Sequence, residues 1–315
     1  MVVTAAAASC GASTTVAAPK SGVIESAADE AAMATALRLP ANNPLLLHAE
    51  AKRSRWLTSI ICKARPGVHP TLPAQQSARP ASDGNPTTPN WAGYVADTPS
   101  PDGTFGTWYV PEVAAPTGDV SSYSSVWTGI GGFADPTDDD IPGQLIQAGT
   151  EEDSLCPQVI HGVCSDPTTA YYAWYEQYPY EDQIEIANMT VSPGDDIAAS
   201  AGNFSSSTAS FLVCDDTTNV CAAPQQATAG TPGDTSEWVV ERTLEGGSLP
   251  GLAPFGTTTF EDGENVTWFE GGVATTPEAA EATPYDMYNG SDLLASTGEL
   301  DSSGEGFTVT YVASE

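Results

Sequence analysis

Positive charge is nearly missing from this chain. Lys and Arg together number 9 in 315 residues, against 41 Asp and Glu, for a net charge of −32. The acid fraction is ordinary, so the imbalance comes from absent bases rather than added acids. By region it sharpens: eight of the 9 bases lie within residues 1–80, and Arg242 alone stands after Arg79. A domain so poor in cations lacks the clustered positive charge that nucleic acid binding requires. Such a composition suits an acidic medium. Near pH 3 carboxylates are largely neutral and Lys and Arg are the charges that remain, so omitting them avoids cationic self-repulsion. Salt adaptation is the second reading of the same composition, and it ordinarily raises the acid fraction as well.

Histidine is scarce too, with His161 the only one of 3 beyond residue 80. The sequence has no G-x-S-x-G, no H-E-x-x-H and no C-x-x-C. Ser-His and Cys-His hydrolases and zinc peptidases therefore lack their raw material. A paired aspartic peptidase would need two D-[TS]-G loops, and there are none; Asp301-Ser302-Ser303-Gly304 is one residue too long. No apolar run is long enough to span a membrane, and no phosphate loop or internal repeat appears. The carboxylate and amide chemistry that remains calls for no metal and no cofactor.

Residues 1–19 are small and weakly apolar without a basic start, and read as a truncated or atypical export signal. Residues 20–85 read as a basic prosegment followed by a Pro-rich linker, with helix expected within 24–62. Residues 86–315 carry short apolar runs divided by Gly, Pro, Ser and Thr, without a βαβ rhythm. That is the profile of an all-β antiparallel sandwich. The six cysteines include two close pairs, Cys156 with Cys164 and Cys214 with Cys221, whose spacing fits local disulfides in an oxidising compartment. The acidic stretches Asp135–Asp140 and Glu151–Asp153 read as exposed loops.

The stretch Ser236-Glu237-Trp238-Val239-Val240-Glu241-Arg242 combines two carboxylates, a bulky aromatic and the lone late base. Its β-branched centre favours a strand, with Glu237, Val239 and Glu241 on one face and Trp238 and Val240 on the other. Taken alone it reads as an edge strand with solvated acids.

Six blocks stand in order: Asn90-Trp91-Ala92-Gly93-Tyr94; Trp127-Thr128-Gly129-Ile130-Gly131; Leu145-Ile146-Gln147-Ala148-Gly149; Ala173 to Pro179 (AWYEQYP); Pro193-Gly194-Asp195; and Ser236 to Glu241. Together they resemble the glutamic peptidases, or eqolisins, over Asn90 to the C-terminus. The resemblance implies a lectin-like (concanavalin A-like) sandwich of two antiparallel sheets and a secreted, acid-active endopeptidase. It also implies a catalytic dyad, Gln147 and Glu241, with Trp91 and Trp127 at aromatic positions of the substrate cleft and Glu176 close to the dyad. From the residues, Trp91, Trp127 and Trp174 each serve as core aromatic or cleft wall alike, and Glu237 reads as structural. The family is made with a basic prosegment, which the resemblance identifies here as an intramolecular inhibitor of a monomeric enzyme acting on protein and peptide substrates. Two positions depart from the pattern: Gly131 stands where an acid is common, and Arg242 where Asp often follows the second acid. From the residues alone, a sandwich with two acids and exposed aromatics also fits a glycoside hydrolase or a carbohydrate-binding module.

Overall fold

The computed structural model describes residues 84–98, 101–133, 144–205, 208–228, 233–267 and 273–314, with four short strands at 22–24, 55–57, 62–64 and 68–69. The main strands are β1 (Trp91–Asp97), β2 (Gly103–Tyr109), β3 (Ser122–Ile130), β4 (Leu145–Leu155), β5 (Thr168–Tyr178), β6 (Ile184–Ile186) and β7 (Asp196–Ser205). They continue with β8 (Thr208–Asp215), β9 (Thr235–Glu241), β10 (Thr257–Thr267), β11 (Thr283–Asn289), β12 (Asp292–Thr297) and β13 (Phe307–Tyr311).

Two antiparallel sheets result. The first runs β6-β5-β4-β3-β9-β1-β11. The second runs β8-β7-β2-β10-β13-β12-β11, so β11 belongs to both. Period-two alternation divides the side chains of the first sheet. Trp238 and Val240 of β9, Ile146 and Ala148 of β4 and Ala173 and Tyr175 of β5 enter the core between the sheets, where Trp108, Phe211, Phe260 and Phe307 meet them. Five tryptophans, Trp91, Trp108, Trp127, Trp174 and Trp238, are fully buried. An aromatic of this size buries about 150–250 Å², roughly 4–6 kcal/mol of transfer free energy each before entropy is counted.

Both expected disulfides, Cys156–Cys164 and Cys214–Cys221, are present, and the second ties β8 to the short strand Val220–Ala222. The helix expected within 24–62 falls mainly on residues outside the described set. Of that stretch, Ile24, Arg55–Leu57 and Cys62 lie in strands. Among the described residues no helix is long and apolar enough to cross a membrane.

Two readings are corrected. First, β9 is no edge strand: β1 and β3 pair with it on either side, and all seven of its residues are buried. Second, Glu151–Asp153 is no exposed loop. The strand begun at Leu145 continues through it, paired with both β3 and β5, and the three acids are 0–7% exposed. Charge density alone suggested a loop, but pairing on both sides leaves the backbone no other course.

Candidate active site

The face of the first sheet turned away from the core carries the site. Glu237, Val239 and Glu241 alternate onto it from β9, Ser125, Trp127 and Gly129 from β3, Gln147, Gly149 and Glu151 from β4, and Tyr172, Trp174 and Glu176 from β5. The register sets two rows across these strands. One runs Glu237, Gly129, Gln147, Glu176; the other runs Trp91, Glu241, Ser125, Glu151, Tyr172.

Glu241 is fully buried and receives two side-chain hydrogen bonds, one on each oxygen. Trp127 Nε1 donates to Oε2 at 2.9 Å, and Asn90 Nδ2 donates to Oε1 at 3.2 Å. Asn90 is held there by its backbone, whose carbonyl accepts the Arg242 N–H at 2.8 Å, and by the Thr88 hydroxyl, which fixes the start of β1 through the Trp91 N–H at 2.8 Å. Bonds to a carboxylate are charge-assisted and stronger than neutral ones, so the group is oriented as well as satisfied.

Gln147, also fully buried, donates its Nε2 to Glu176 Oε2 at 2.8 Å. Between the two acid–amide positions lies Trp127. A Cβ on Gly149 would meet the Trp127 Cβ at 2.5 Å, and one on Gly129 would meet the Gln147 Cβ at 3.0 Å and the Trp127 ring edge at 3.2 Å. Glycine at both points lets the indole lie flat on the sheet, its nitrogen on Glu241 and its ring edge beside Gln147.

Trp91, Trp127 and Trp174 form a second apolar cluster with Val95, Leu145, Tyr172, Val239 and Tyr285. Trp91 meets Trp127 edge-to-face with centroids 4.9 Å apart, and Phe133 packs on both Trp91 and Tyr285. All six residues singled out in the sequence, Gln147, Glu241, Trp91, Trp127, Glu176 and Trp174, thus share one face. Asn90, Phe133 and Tyr285 were not singled out. Asn90 stands inside a quoted block, but nothing local marks it as a donor to a residue 151 positions away.

The two departures have local causes. Gly131 has φ +81°, and a Cβ there would lie 2.3 Å from the Gln144 carbonyl and 2.4 Å from the Gly233 nitrogen. No side chain fits. Arg242 directs its guanidinium to backbone carbonyls, Nη2 to Leu249 O at 3.2 Å and Nε to Pro250 O, and so pins the loop after β9.

Further acids on this sheet are buried. Burial pushes Glu237, Glu151 and Glu152 well above the usual carboxylate range; for Glu151 the neighbouring Asp153 adds to it. Gln183 Nε2 donates to Glu151 Oε2 at 3.1 Å and in turn accepts the Tyr172 hydroxyl at 2.8 Å. Among the described residues no group of three or more His, Cys, Asp or Glu could hold a metal ion.

A buried carboxylate and a buried primary amide thus lie on one tryptophan-walled face of an all-β sandwich, and the family match that follows makes the chain a glutamic endopeptidase. The peptidase A4 family profile matches residues 89–311, and the chain belongs to that family. It is 29% identical over 244 residues to aspergillopepsin-2 of Aspergillus niger, covering 71% of this chain and 77% of that one. Among solved structures it shares its fold with scytalido-glutamic peptidase bound to a transition state analog inhibitor (TM-score 0.54, 20% identity, 71% of this chain and 98% of that one). It also shares it with SCP-B, an eqolisin in complex with the tripeptide Ala-Ile-His (TM-score 0.51, 18% identity, 71% of this chain and 98% of that one). Family membership sets aside the glycosidase and carbohydrate-binding alternatives.

Proposed function

We propose that the protein is a secreted endopeptidase active in acid, which hydrolyses peptide bonds with Glu241 and Gln147. The observation that carries this reading is the pair itself: Glu241 with a donor on each oxygen, and Gln147 beside the indole that supplies one of them. Glu241 takes a proton from the attacking water and returns it to the leaving amine. Gln147 keeps one N–H on Glu176 and has a second for the water or for the oxyanion of the tetrahedral intermediate. Atoms balance through water alone, one hydroxyl passing to the acyl carbon and one proton to the amine. Glu176 supports the dyad by fixing that amide, and Trp91, Trp127 and Trp174 wall the substrate channel.

Residues 86–315 form the catalytic domain in this reading, behind an export signal at 1–19 and an inhibitory prosegment at 20–85. Backbone pairing supports the inhibitory role. Cys62–Ala64 pairs antiparallel with β6, next to Trp174 and Tyr175, and Val68–His69 pairs with Leu244–Glu245, three residues beyond Glu241. The proposed prosegment thus pairs with the domain at the β6 edge of the first sheet and just beyond the end of β9.

Incubation with casein and with β-glucan at about pH 3.5 tests the activity. Casein alone is cleaved if the reading holds; an intact casein pool after removal of the prosegment rejects it.

A further inference from the structure

The reverse side of the catalytic strands carries polar side chains that the chemistry above does not use. On the site face Gln147 Nε2 donates to Glu176 Oε2 at 2.8 Å and joins β4 to β5. The next residue on β5, Gln177, points the opposite way, into the space between the sheets that Ala173 and Tyr175 of the same strand enter. There Gln144 Nε2 donates to Gln177 Oε1 at 2.7 Å, so the same two chain segments are clasped on both faces within a few residues of Gln147. Gln177 Nε2 continues to Gln226 Oε1 at 2.8 Å and to Ala227 O at 3.1 Å, on the short strand Gln225–Ala227 that pairs with β8 in the second sheet. Gln144, Gln177 and Gln226 are all buried. The outer atoms of this ladder, Gln144 Oε1 and Gln226 Nε2, make no further hydrogen bond, which leaves Gln177 as the member bonded on both sides.

The Gln144 backbone ties in the other catalytic strands. Its carbonyl accepts the Gly233 N–H at 3.3 Å just before β9, and it lies against Gly131 just past β3, where an added Cβ would come within 2.3 Å of it. Three positions ahead of Gln147, one residue thus meets the chain at the ends of β3, β9 and β5. These strands, with β4, supply the row Glu237, Gly129, Gln147, Glu176. Every donor and acceptor in the ladder is an amide, which neither gains nor loses a proton between acid and neutral pH. A buried hydrogen-bonded network of this kind rigidifies what it joins, here behind a face rich in carboxyls. We infer that Gln177 is a positioning residue whose two side-chain bonds hold β5 in place against β4 and the second sheet, and so keep Glu176 where it orients the Gln147 amide, an assignment that rests on the Gln147–Glu241 reading above. Gln177 itself touches neither substrate nor reacting atoms. Without it, Gln144 and Gln226 lose their shared partner, and the end of the β4–β5 pair that carries Gln147 and Glu176 is free to shift. A displacement of about 1 Å at a catalytic group costs on the order of 100-fold in rate.

The test measures kcat and KM on a peptide substrate, from acid to neutral pH, for the acid-matured enzyme and for Q177L, Q177E, E176A and Q177L/E176A, each shown to be folded, with E241Q alongside. Leucine can neither accept from Gln144 nor donate to Gln226, so Q177L is expected to lose about 10- to 100-fold in kcat with KM little altered. Because the effect passes through Glu176, the double variant loses much less than the product of the two single losses, whereas independent structural defects multiply. A protonated carboxyl at position 177 accepts and donates as the amide does, but an ionised one only accepts. Q177E therefore keeps near wild-type kcat in acid and loses activity at a lower pH than the wild type. Glu181 beside Gln226, and Glu176 and Tyr178 flanking position 177, are common to both proteins, so the difference between the two profiles belongs to that position. Wild-type kcat in Q177L, or multiplicative losses in the double variant, overturns the assignment of Gln177 while an inactive E241Q leaves the dyad standing. Activity in E241Q removes the dyad reading and the role of Gln177 with it. Should Q177L fail to fold, the isosteric Q177E decides, because a pH profile matching the wild type overturns the assignment.

Discussion

Trp127 donates its indole N–H to Glu241 at 2.9 Å, and the same ring reaches beside Gln147 over Gly129 and Gly149. One side chain thus spaces the two groups assigned to catalysis. Its position depends on alternation in β3 and on two glycines that leave room for it, so the site is a consequence of sheet geometry rather than of loop conformation.

Replacing Trp127 by Phe keeps an aromatic ring but removes the donor, leaving Glu241 Oε2 without its 2.9 Å indole hydrogen bond. The expected loss is about 10- to 1000-fold in kcat/KM, in the range of a lost charge-assisted or oxyanion contact. Steady-state kinetics on the folded variant checks it, and unchanged kcat/KM would show that the indole serves packing alone.

Stability should depend on pH in an unusual direction. Glu237, Glu151 and Glu152 all sit above their ordinary range because burial disfavours the charged form. A carboxyl raised in the folded state stabilises the fold fully below its unfolded pKa of about 4.3, and that contribution is lost as pH rises toward the folded value. Each such group contributes up to about 1.4 kcal/mol per pH unit over that window. The midpoint of thermal unfolding is therefore expected to fall between about pH 4 and pH 7. A rise across the same range would count against protonated interior acids.

Gly131 stands where the resemblance read in the sequence led us to expect an acid, so G131D invites the idea of supplying one. The outcome expected here is destabilisation by several kcal/mol, because φ is +81° and the added Cβ meets Gln144 O at 2.3 Å. Thermal unfolding measures it. A G131D protein as stable as wild type would mean that this turn readily adopts another path.

If residues 20–85 are the inhibitory prosegment proposed above, a charge-based hold on the domain should release in acid. Residues 1–80 carry eight bases, while the domain beyond carries Arg242 alone among its many acids. Titrating a peptide of residues 20–80 against the matured domain should show binding near neutral pH that weakens as carboxylates protonate toward about pH 3. Equal affinity at both ends removes charge as the release mechanism, leaving the strand pairings at β6 and at Leu244–Glu245 to account for any hold.

Much of this arrangement was legible in the sequence. The run of short strands announced an antiparallel sandwich, and alternation in Ser236–Arg242 put Glu237, Val239 and Glu241 on one face and Trp238 and Val240 on the other, which the structure turns into the core. What composition could not reveal was burial. Glu237 and Glu151–Asp153 look solvated by residue type, yet β9 and β4 are interior strands, and a strand paired on both sides carries its acids inward whatever their cost. Long-range donors were equally hidden: Asn90 reaches Glu241 only because β1 pairs with β9, a contact without a local signature. The strands β11 and β12, which close the sandwich, have mixed polar composition and were not foreseen.

The most direct test of the whole account is kcat/KM of Glu241→Gln at about pH 3.5, measured on protein matured and shown to be folded. Glutamine preserves shape and its Oε1 can still accept the Trp127 indole N–H, although its amide nitrogen cannot accept from Asn90, and it cannot take a proton from water. The account predicts a loss of at least about 1000-fold, the scale expected when a general base acting within an electrostatically prepared site is removed. Cleavage within tenfold of the wild type would contradict it.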